Sequence, residues 1–380
     1  MQWPDELARR SRAAGGLRCR PAGAAWQATS CIATRIVLYH QIMQFTLRLA
    51  LLTALLLSPA SHAQDKDDAP SSYTPTPSVP YPGGVQNFRD VTFAELPGFR
   101  PLTLDLYVPP KAGAPKPAIV FIHGGAWRHR TARDGGTFKD FPAVLASVAA
   151  RGYVVASVNY RFVSEARFPG PVQDVEMAIR WLRLHADEYG VDAARFVAWG
   201  SSAGGEIATV IGTGCGVKEL EPPAPAFGAA AAKKPGLLPS ACVQGVIDWY
   251  GIIDLESNPT DLGKAQVPGI HAHEDAYLGC EVPQCPPGLA RSASPLAYID
   301  SKDPPFLIQH GTADVTVSPK QSQKLYDALR AAGVPAELVL YPNVAHGFAK
   351  VPGGGPDAAV NQQALTKVLE FLHHYFPSGG

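Results

Sequence analysis

The segment Gly200-Ser201-Ser202-Ala203-Gly204-Gly205 constrains this 380-residue chain more than any other. It closes the apolar run Phe196-Val197-Ala198-Trp199 and opens a helix-compatible stretch, Glu206-Ile207-Ala208-Thr209-Val210. Of the two serines, only Ser202 has glycine two places before and two after, the pattern G-x-S-x-G in the strand–turn–helix setting it requires. A serine presented from so sharp a turn sits on strained backbone. A side chain at either flanking glycine would strike the neighbouring strand or helix. The periodicity around this turn predicts parallel strands alternating with helices. The stretch Tyr153-Val154-Val155-Ala156-Ser157-Val158 is short and β-branched, as a buried parallel strand should be. Residues 88–94 and 102–108 pattern as a hairpin pair. Val172, Val175, Ile179, Leu182, Ala186 and Tyr189 recur at three- and four-residue steps and put one apolar stripe on a helix. Ser318-Pro319 reads as the N-cap and first residue of a helix through Leu329. Such alternation implies an α/β domain, a mostly parallel sheet covered on both faces.

Two further segments give the serine a chemical context. His123-Gly124-Gly125-Ala126-Trp127 follows the strand-like run Ala118-Ile119-Val120-Phe121-Ile122. Its glycines let backbone N–H groups approach a carbonyl that is turning into an oxyanion. Gly124, Gly125 and Ala126, with the N–H of Ala203 just after the serine, are the expected oxyanion donors. Ala126 stands where a third glycine is common, and Trp127 is either a pocket wall or a packing residue. The second segment supplies the acid and the base. Asp314 lies three residues past Gly311 on the loop after Pro305-Phe306-Leu307-Ile308-Gln309-His310, and His346 lies after Ala336-Glu337-Leu338-Val339-Leu340-Tyr341. An imidazole between a serine and a carboxylate can take the hydroxyl proton and return it to a leaving group. Asp248 and Asp254 are rival acids; the place of Asp314 after the next strand and its spacing to His346 favour it. His310 reads as a structural residue at a strand end. His271, His273, Glu274 and Asp275 form a polar cluster whose spacing matches no established metal-ligand pattern, so no metal is expected.

With these residues the chain resembles an α/β-hydrolase-fold serine carboxylesterase of the BD-FAE (feruloyl-esterase-like) group, near the hormone-sensitive-lipase-like esterases. The resembling segments are His123 to Trp127, Val158-Asn159-Tyr160-Arg161, Gly200 to Gly205, His310-Gly311-Thr312-Ala313-Asp314 and His346-Gly347-Phe348. Ser201 replaces the acidic residue that many hormone-sensitive-lipase-like relatives carry before the nucleophile, which favours the BD-FAE branch. The resemblance implies an α/β-hydrolase fold: a mostly parallel central sheet, helices on both faces and loop insertions over the site. It also implies an acyl-enzyme mechanism on short-chain or aryl esters, with Ser202, His346 and Asp314 as the triad and no cofactor. An amidase of the arylformamidase kind or an S9-type peptidase could use the same machinery, and from another class the fold could serve as a non-catalytic binding module.

The rest of the chain sets the compartment. Residues 43–63 read as a secretory signal, with a short basic region at Met43 to Arg48, an apolar core from Leu49 to Leu57 and the small-x-small site Ser61-His62-Ala63. That core is too short to span a bilayer, so no membrane insertion is expected once the signal is removed. Residues 1–42 read as a mis-called extension ahead of the natural start at Met43, residues 64–84 as a flexible linker, and residues 85–380 as the catalytic domain. The expected location is periplasmic or secreted. Beyond the signal, Cys215, Cys242, Cys280 and Cys285 remain; an even number in an exported chain reads as two disulfides. Three pairings are open, and the short spacing favours Cys280–Cys285, leaving Cys215–Cys242 to staple residues 216–241 as a loop over the site. The 33 basic residues balance the 33 acidic ones, and no basic patch with interleaved aromatics appears. Nucleic-acid binding therefore has no support. The expected partner is a small-molecule ester.

Overall fold

The computed structural model describes residues 77–378, apart from 224–238, 265–266, 268, 270 and 352–354. The signal segment, residues 1–42 and most of the expected linker lie outside the described residues. Nine strands form one sheet in the order β1-β2-β3-β5-β4-β6-β7-β8-β9. They are β1 (Pro77–Tyr81), β2 (Val85–Ala94), β3 (Leu102–Val108), β4 (Lys116–Ile122), β5 (Val154–Val158), β6 (Val191–Ser201), β7 (Gly245–Trp249), β8 (Phe306–Gly311) and β9 (Ala336–Tyr341). The pairs from β1 to β5 run antiparallel, including β2 with β3 as the hairpin pattern predicted. From β5 through β4 to β9 every pair is parallel. This is the α/β-hydrolase architecture.

Six of the helices pack on the sheet or border the site: α1 (Phe141–Ala149), α2 (Gly170–Leu184), α3 (Ala203–Thr213), α4 (Ala272–Leu278), α5 (Pro319–Ala331) and α6 (Ala358–Tyr375). The two faces of the sheet separate at a period of two residues, as pleated strands require. On β4, Ala118, Val120 and Ile122 pack with Val172 of α2, Ile207 of α3 and Leu325 of α5. Ile119 and Phe121 point the other way, to Leu145 of α1 and Val368 and Leu372 of α6. Both faces of β4 are therefore core, which is why its sequence runs apolar without alternation. Ser318 caps α5 by accepting from Lys320 N–H, with Pro319 at the first position, as expected.

Two expectations need correction, and a third falls largely outside the described residues. The linker was placed through residue 84, but residues 77–81 form edge strand β1, antiparallel to β2, with the Tyr81 ring edge-on to Tyr107 at 5.9 Å. Proline is tolerated there because an edge strand need not donate every N–H. The stripe from Val172 to Tyr189 is not one helix. It breaks at His185, whose ring stacks on Trp181 and whose Nδ1 lies 2.8 Å from the Trp181 carbonyl. A short turn, Ala186–Tyr189, then ends on left-handed Gly190. The stripe persists across the break because Ala186 and Tyr189 are still buried. Finally, residues 224–238 of the expected loop over the site lie outside the described residues, and only its two ends are described. Its first anchor follows the far end of α3, and its second precedes the start of β7, which pairs with β6 at Val197, well before Ser202. The wall beside Ser202 comes from the connection after β7 that contains α4.

Candidate active site

Ser202 sits between the end of β6 and the start of α3 with φ 54° and ψ −120°. That conformation is costly for a residue with a Cβ and is held by its surroundings. Ser202 N–H donates to the Trp249 carbonyl at 2.8 Å, and the Ser202 carbonyl accepts from Glu206 N–H. The tightness of the turn explains its glycines. A Cβ on Gly200 would run into the Gly204 carbonyl, and one on Gly204 would run into the Ile122 and His123 carbonyls.

The loops after β8 and β9 bring Asp314 and His346 to this turn. His346 Nε2 lies 3.0 Å from Ser202 Oγ, and His346 Nδ1 lies 2.6 Å from Asp314 Oδ2. A carboxylate only accepts, so Nδ1 carries the proton and Nε2 is free to accept from the serine hydroxyl. The Tyr250 ring stands edge-on to the imidazole, 4.9 Å between centroids. Asp314 is itself built in: Oδ1 accepts from Thr316 and Val317 N–H, and Oδ2 also faces His310 Nε2 at 3.2 Å. Burial opposes the Asp314 charge, but His346, with hydrogen bonds from His310 and His346, outweighs it and holds the carboxyl well below the usual range. The rival acids lie elsewhere. Asp248 is buried within β7 and accepts from Gly251 N–H, and Asp254 pairs with Lys324.

The loop after β4 faces the turn. His123 is fully buried, stacked on Tyr160 at 4.5 Å, with Nδ1 2.7 Å from the Gly124 carbonyl. Burial drops its pKa to about 4, so the ring is neutral near pH 7. Because a trans peptide sends C=O and N–H in opposite directions, binding the Gly124 carbonyl to His123 turns the Gly125 N–H away from that ring. Gly125, Ala126 and Trp127 all have positive φ, 110°, 52° and 55°. The absent third glycine therefore leaves Ala126 in a conformation its side chain disfavours. Ala203, as the first residue of α3, has an N–H with no partner inside the helix.

A family model described as BD-FAE matches residues 104–329, more than half of the sequence. The chain belongs to the BD-FAE family. Among curated relatives, esterase LipC of Mycobacterium tuberculosis is 29% identical over 264 residues, covering 68% of this chain and 59% of that protein. The isoprenylcysteine alpha-carbonyl methylesterase ICME of Arabidopsis thaliana is 28% identical over 261 residues, covering 68% and 56%. The chain thus spans little more than half the length of these relatives. Among solved structures, a truncated carbohydrate esterase from gut microbiota is 26% identical with a TM-score of 0.58, covering 79% of this chain and 97% of that one. Propionate-bound Est2 from Thermogutta terrifontis is 27% identical with a TM-score of 0.57, covering 76% and 95%.

In this BD-FAE domain a cleft of 370 Å³ opens beside Ser202, lined by Ala126, Trp127, Ile252, Glu274 and Val315 among others. Trp127 is fully buried yet borders the cleft. The polar cluster from His271 to Asp275 is divided: His273 and Glu274 face the cleft, whereas Asp275 accepts from Val282 N–H. Among the described residues no three His, Cys, Asp or Glu side chains gather as a metal site. The sulfurs of Cys215 and Cys242, and of Cys280 and Cys285, lie at disulfide distance with Cα–Cα separations of 5.0 and 5.3 Å. Among the described residues no helix is long and apolar enough to cross a membrane. Sequence reasoning missed His310 as a partner of Asp314, although its i, i+4 spacing hinted at it. It also missed Glu206 and Tyr277, which meet Trp127 beneath the cleft.

Proposed function

We propose that this chain is an exported carboxylic-ester hydrolase in which Ser202, His346 and Asp314 form the catalytic triad. The observation that carries the reading is the hydrogen-bonded series from Ser202 Oγ through His346 to Asp314, at 3.0 and 2.6 Å, on the border of a cleft. His346 Nε2 takes the hydroxyl proton as Ser202 Oγ attacks the ester carbonyl. The tetrahedral oxyanion is met by N–H groups of Gly124, Gly125, Ala126 and Ala203. His346 returns the proton to the departing alcohol, and water then repeats the cycle on the acyl-enzyme. Asp314, held as a carboxylate, stabilises the imidazolium formed in each half-reaction. No step calls on a cofactor.

Esterase names among the relatives support the chemistry. A cleft near the small end of the usual range of about 300–1,000 Å³ supports short-chain or aryl esters. The signal-like residues 43–63 and two cysteine pairs at bonding distance support a periplasmic or secreted location. Replacing Ser202 with Ala is expected to lower p-nitrophenyl acetate hydrolysis by about a thousandfold or more and to abolish labelling by a fluorophosphonate, while the fold survives. Near-parental turnover in folded Ser202→Ala would end this assignment. A folded parent protein that neither turns over esters nor takes the label would favour a binding module instead.

A further inference from the structure

Glu206 is a buried acid for which the triad has no use. It lies fully buried on α3, one turn beyond Ser202, and its N–H donates to the Ser202 carbonyl at 3.1 Å. No cation faces it. Its two side-chain partners are neutral donors: Trp127 Nε1 at 3.2 Å from Oε2, and the Tyr277 hydroxyl at 3.3 Å from Oε2 and 3.5 Å from Oε1. Burial pushes the pKa of this carboxyl well above its ordinary range. Its oxygens accept from both the indole N–H and the phenol O–H.

Trp127 borders the cleft, and Tyr277 lies on a helix that walls it. Trp127 ends the run of positive-φ residues Gly125, Ala126 and Trp127. Consecutive non-glycine residues in that region persist only where their neighbours over-determine them. Trp127 is held at three points: the indole N–H on Glu206, the ring face stacked on Tyr277 at 4.2 Å and 5°, and the carbonyl accepting from Val163 N–H at 2.9 Å. Tyr277 is on α4, whose other residues Ala272, His273 and Glu274 border the cleft.

We propose that Glu206 is a positioning residue: through the Trp127 indole it holds the residue 124–127 loop in its left-handed conformation beside Ser202, and through Tyr277 it roots the helix that walls the cleft. The inference rests on the ester-hydrolase reading of Ser202. It locks the nucleophile helix, the oxyanion loop and the cleft wall to one side chain, so a small displacement of any of them reaches the reacting geometry.

The test compares two replacements in the full protein. Glu206→Gln keeps an amide oxygen that can accept from both the Trp127 indole and the Tyr277 hydroxyl, and is expected to retain kcat on p-nitrophenyl acetate within about twofold. Glu206→Leu keeps volume but removes both hydrogen bonds. It is expected to lower kcat by about tenfold to a hundredfold, with KM changing by less than about threefold. Affinity for a trifluoromethyl ketone, whose serine adduct is tetrahedral, should fall with kcat/KM. Titration of active serine with a fluorophosphonate removes any loss due only to unfolded molecules, which a merely structural role would produce. Should Glu206→Leu not fold, Trp127→Phe, lacking only the indole N–H and some ring area, is expected to show the same split. Parental kcat and ketone affinity in whichever variant folds overturns the inference, as does Glu206→Gln damaged as badly as Glu206→Leu. Those outcomes leave the ester-hydrolase reading standing, whereas a parent protein inactive on every ester overturns both.

Discussion

Asp314 shows how much of the site is decided by individual acceptor positions. Both oxygens are occupied, Oδ1 by the Thr316 and Val317 N–H groups and Oδ2 by two imidazoles. Asp314→Asn would keep most of the volume but replace one acceptor by a donor, setting His346 in the wrong tautomer. Its kcat is expected to fall by about a thousandfold to ten-thousandfold. Asp254→Asn, in a residue paired with Lys324, should stay within about twofold of the parent. The reverse ranking in parallel kinetic assays would reassign the acid. Ser202, Asp314 and His346 were legible in the sequence because each follows a recognisable apolar strand in a fixed chain order. Glu206, Trp127 and Tyr277 were not, because they meet across separations of 79 and 71 residues and each alone passes for packing. His123 carries a pH dependence of its own. Burial holds its folded pKa at about 4, below the usual imidazole value of about 6.5. Between those values the unfolded chain binds more protons, so this contribution is complete above about pH 6.5 and is lost as pH falls towards 4. The shift corresponds to about 3 kcal/mol. Asp134, Arg130 and His129 exert the charges felt at this ring. His123→Gln keeps a donor for the Gly124 carbonyl without the titration. The parent should therefore lose more thermal stability than His123→Gln between pH 7 and pH 4.5, and a gap unchanged by pH would remove His123 as the cause.

At the scale of elements, the strand–turn–helix unit is built from close backbone approach rather than from propensity. α3 leans so near β4 that a Cβ at Gly204 would meet the Ile122 and His123 carbonyls, and backbone cannot swing aside as a side chain can. Gly204→Ala is expected to destabilise the protein by about 3 kcal/mol, in the upper range for overpacking, with the denaturation midpoint as the measure. A parental midpoint would mean that α3 can slide off β4. The same contact ties β4 to α3 and thereby sets the oxyanion loop at the level of Ser202. Strand existence was legible from apolar runs because β4 through β8 are covered on both faces. The break at His185 was not, since the apolar stripe crosses it undisturbed and only the local stacking on Trp181 marks the end of α2. Edge strand β1 escaped for the opposite reason. Its proline-rich composition reads as linker, and only its pairing with β2 makes it strand.

For the whole molecule, the proposed triad gathers at one rim of the sheet while one cysteine pair lies towards the other. Ser202, Asp314 and His346 follow the C-terminal ends of β6, β8 and β9. Cys215 and Cys242 bracket the connection from α3 to β7 at the opposite end. Cys280 and Cys285 close a small loop just after α4. A crosslink stabilises chiefly by restricting the unfolded chain, and more so when the loop it closes is longer. The separations are 27 and 5 residues. Chain-entropy arithmetic then assigns about 3.5 kcal/mol to Cys215–Cys242 and about 2 kcal/mol to Cys280–Cys285. Replacing both members of a pair with Ser should lower the guanidinium midpoint under non-reducing conditions, and the long-loop variant should lose more. Its kcat should change less than its midpoint, because its anchors are an α3 length away from Ser202. The short-loop variant, adjoining the helix that borders the cleft, should raise KM for bulky esters as well. Identical midpoints for parent and both variants, with and without reductant, would show that neither pair is oxidised in the mature protein and would remove the cysteines as support for export.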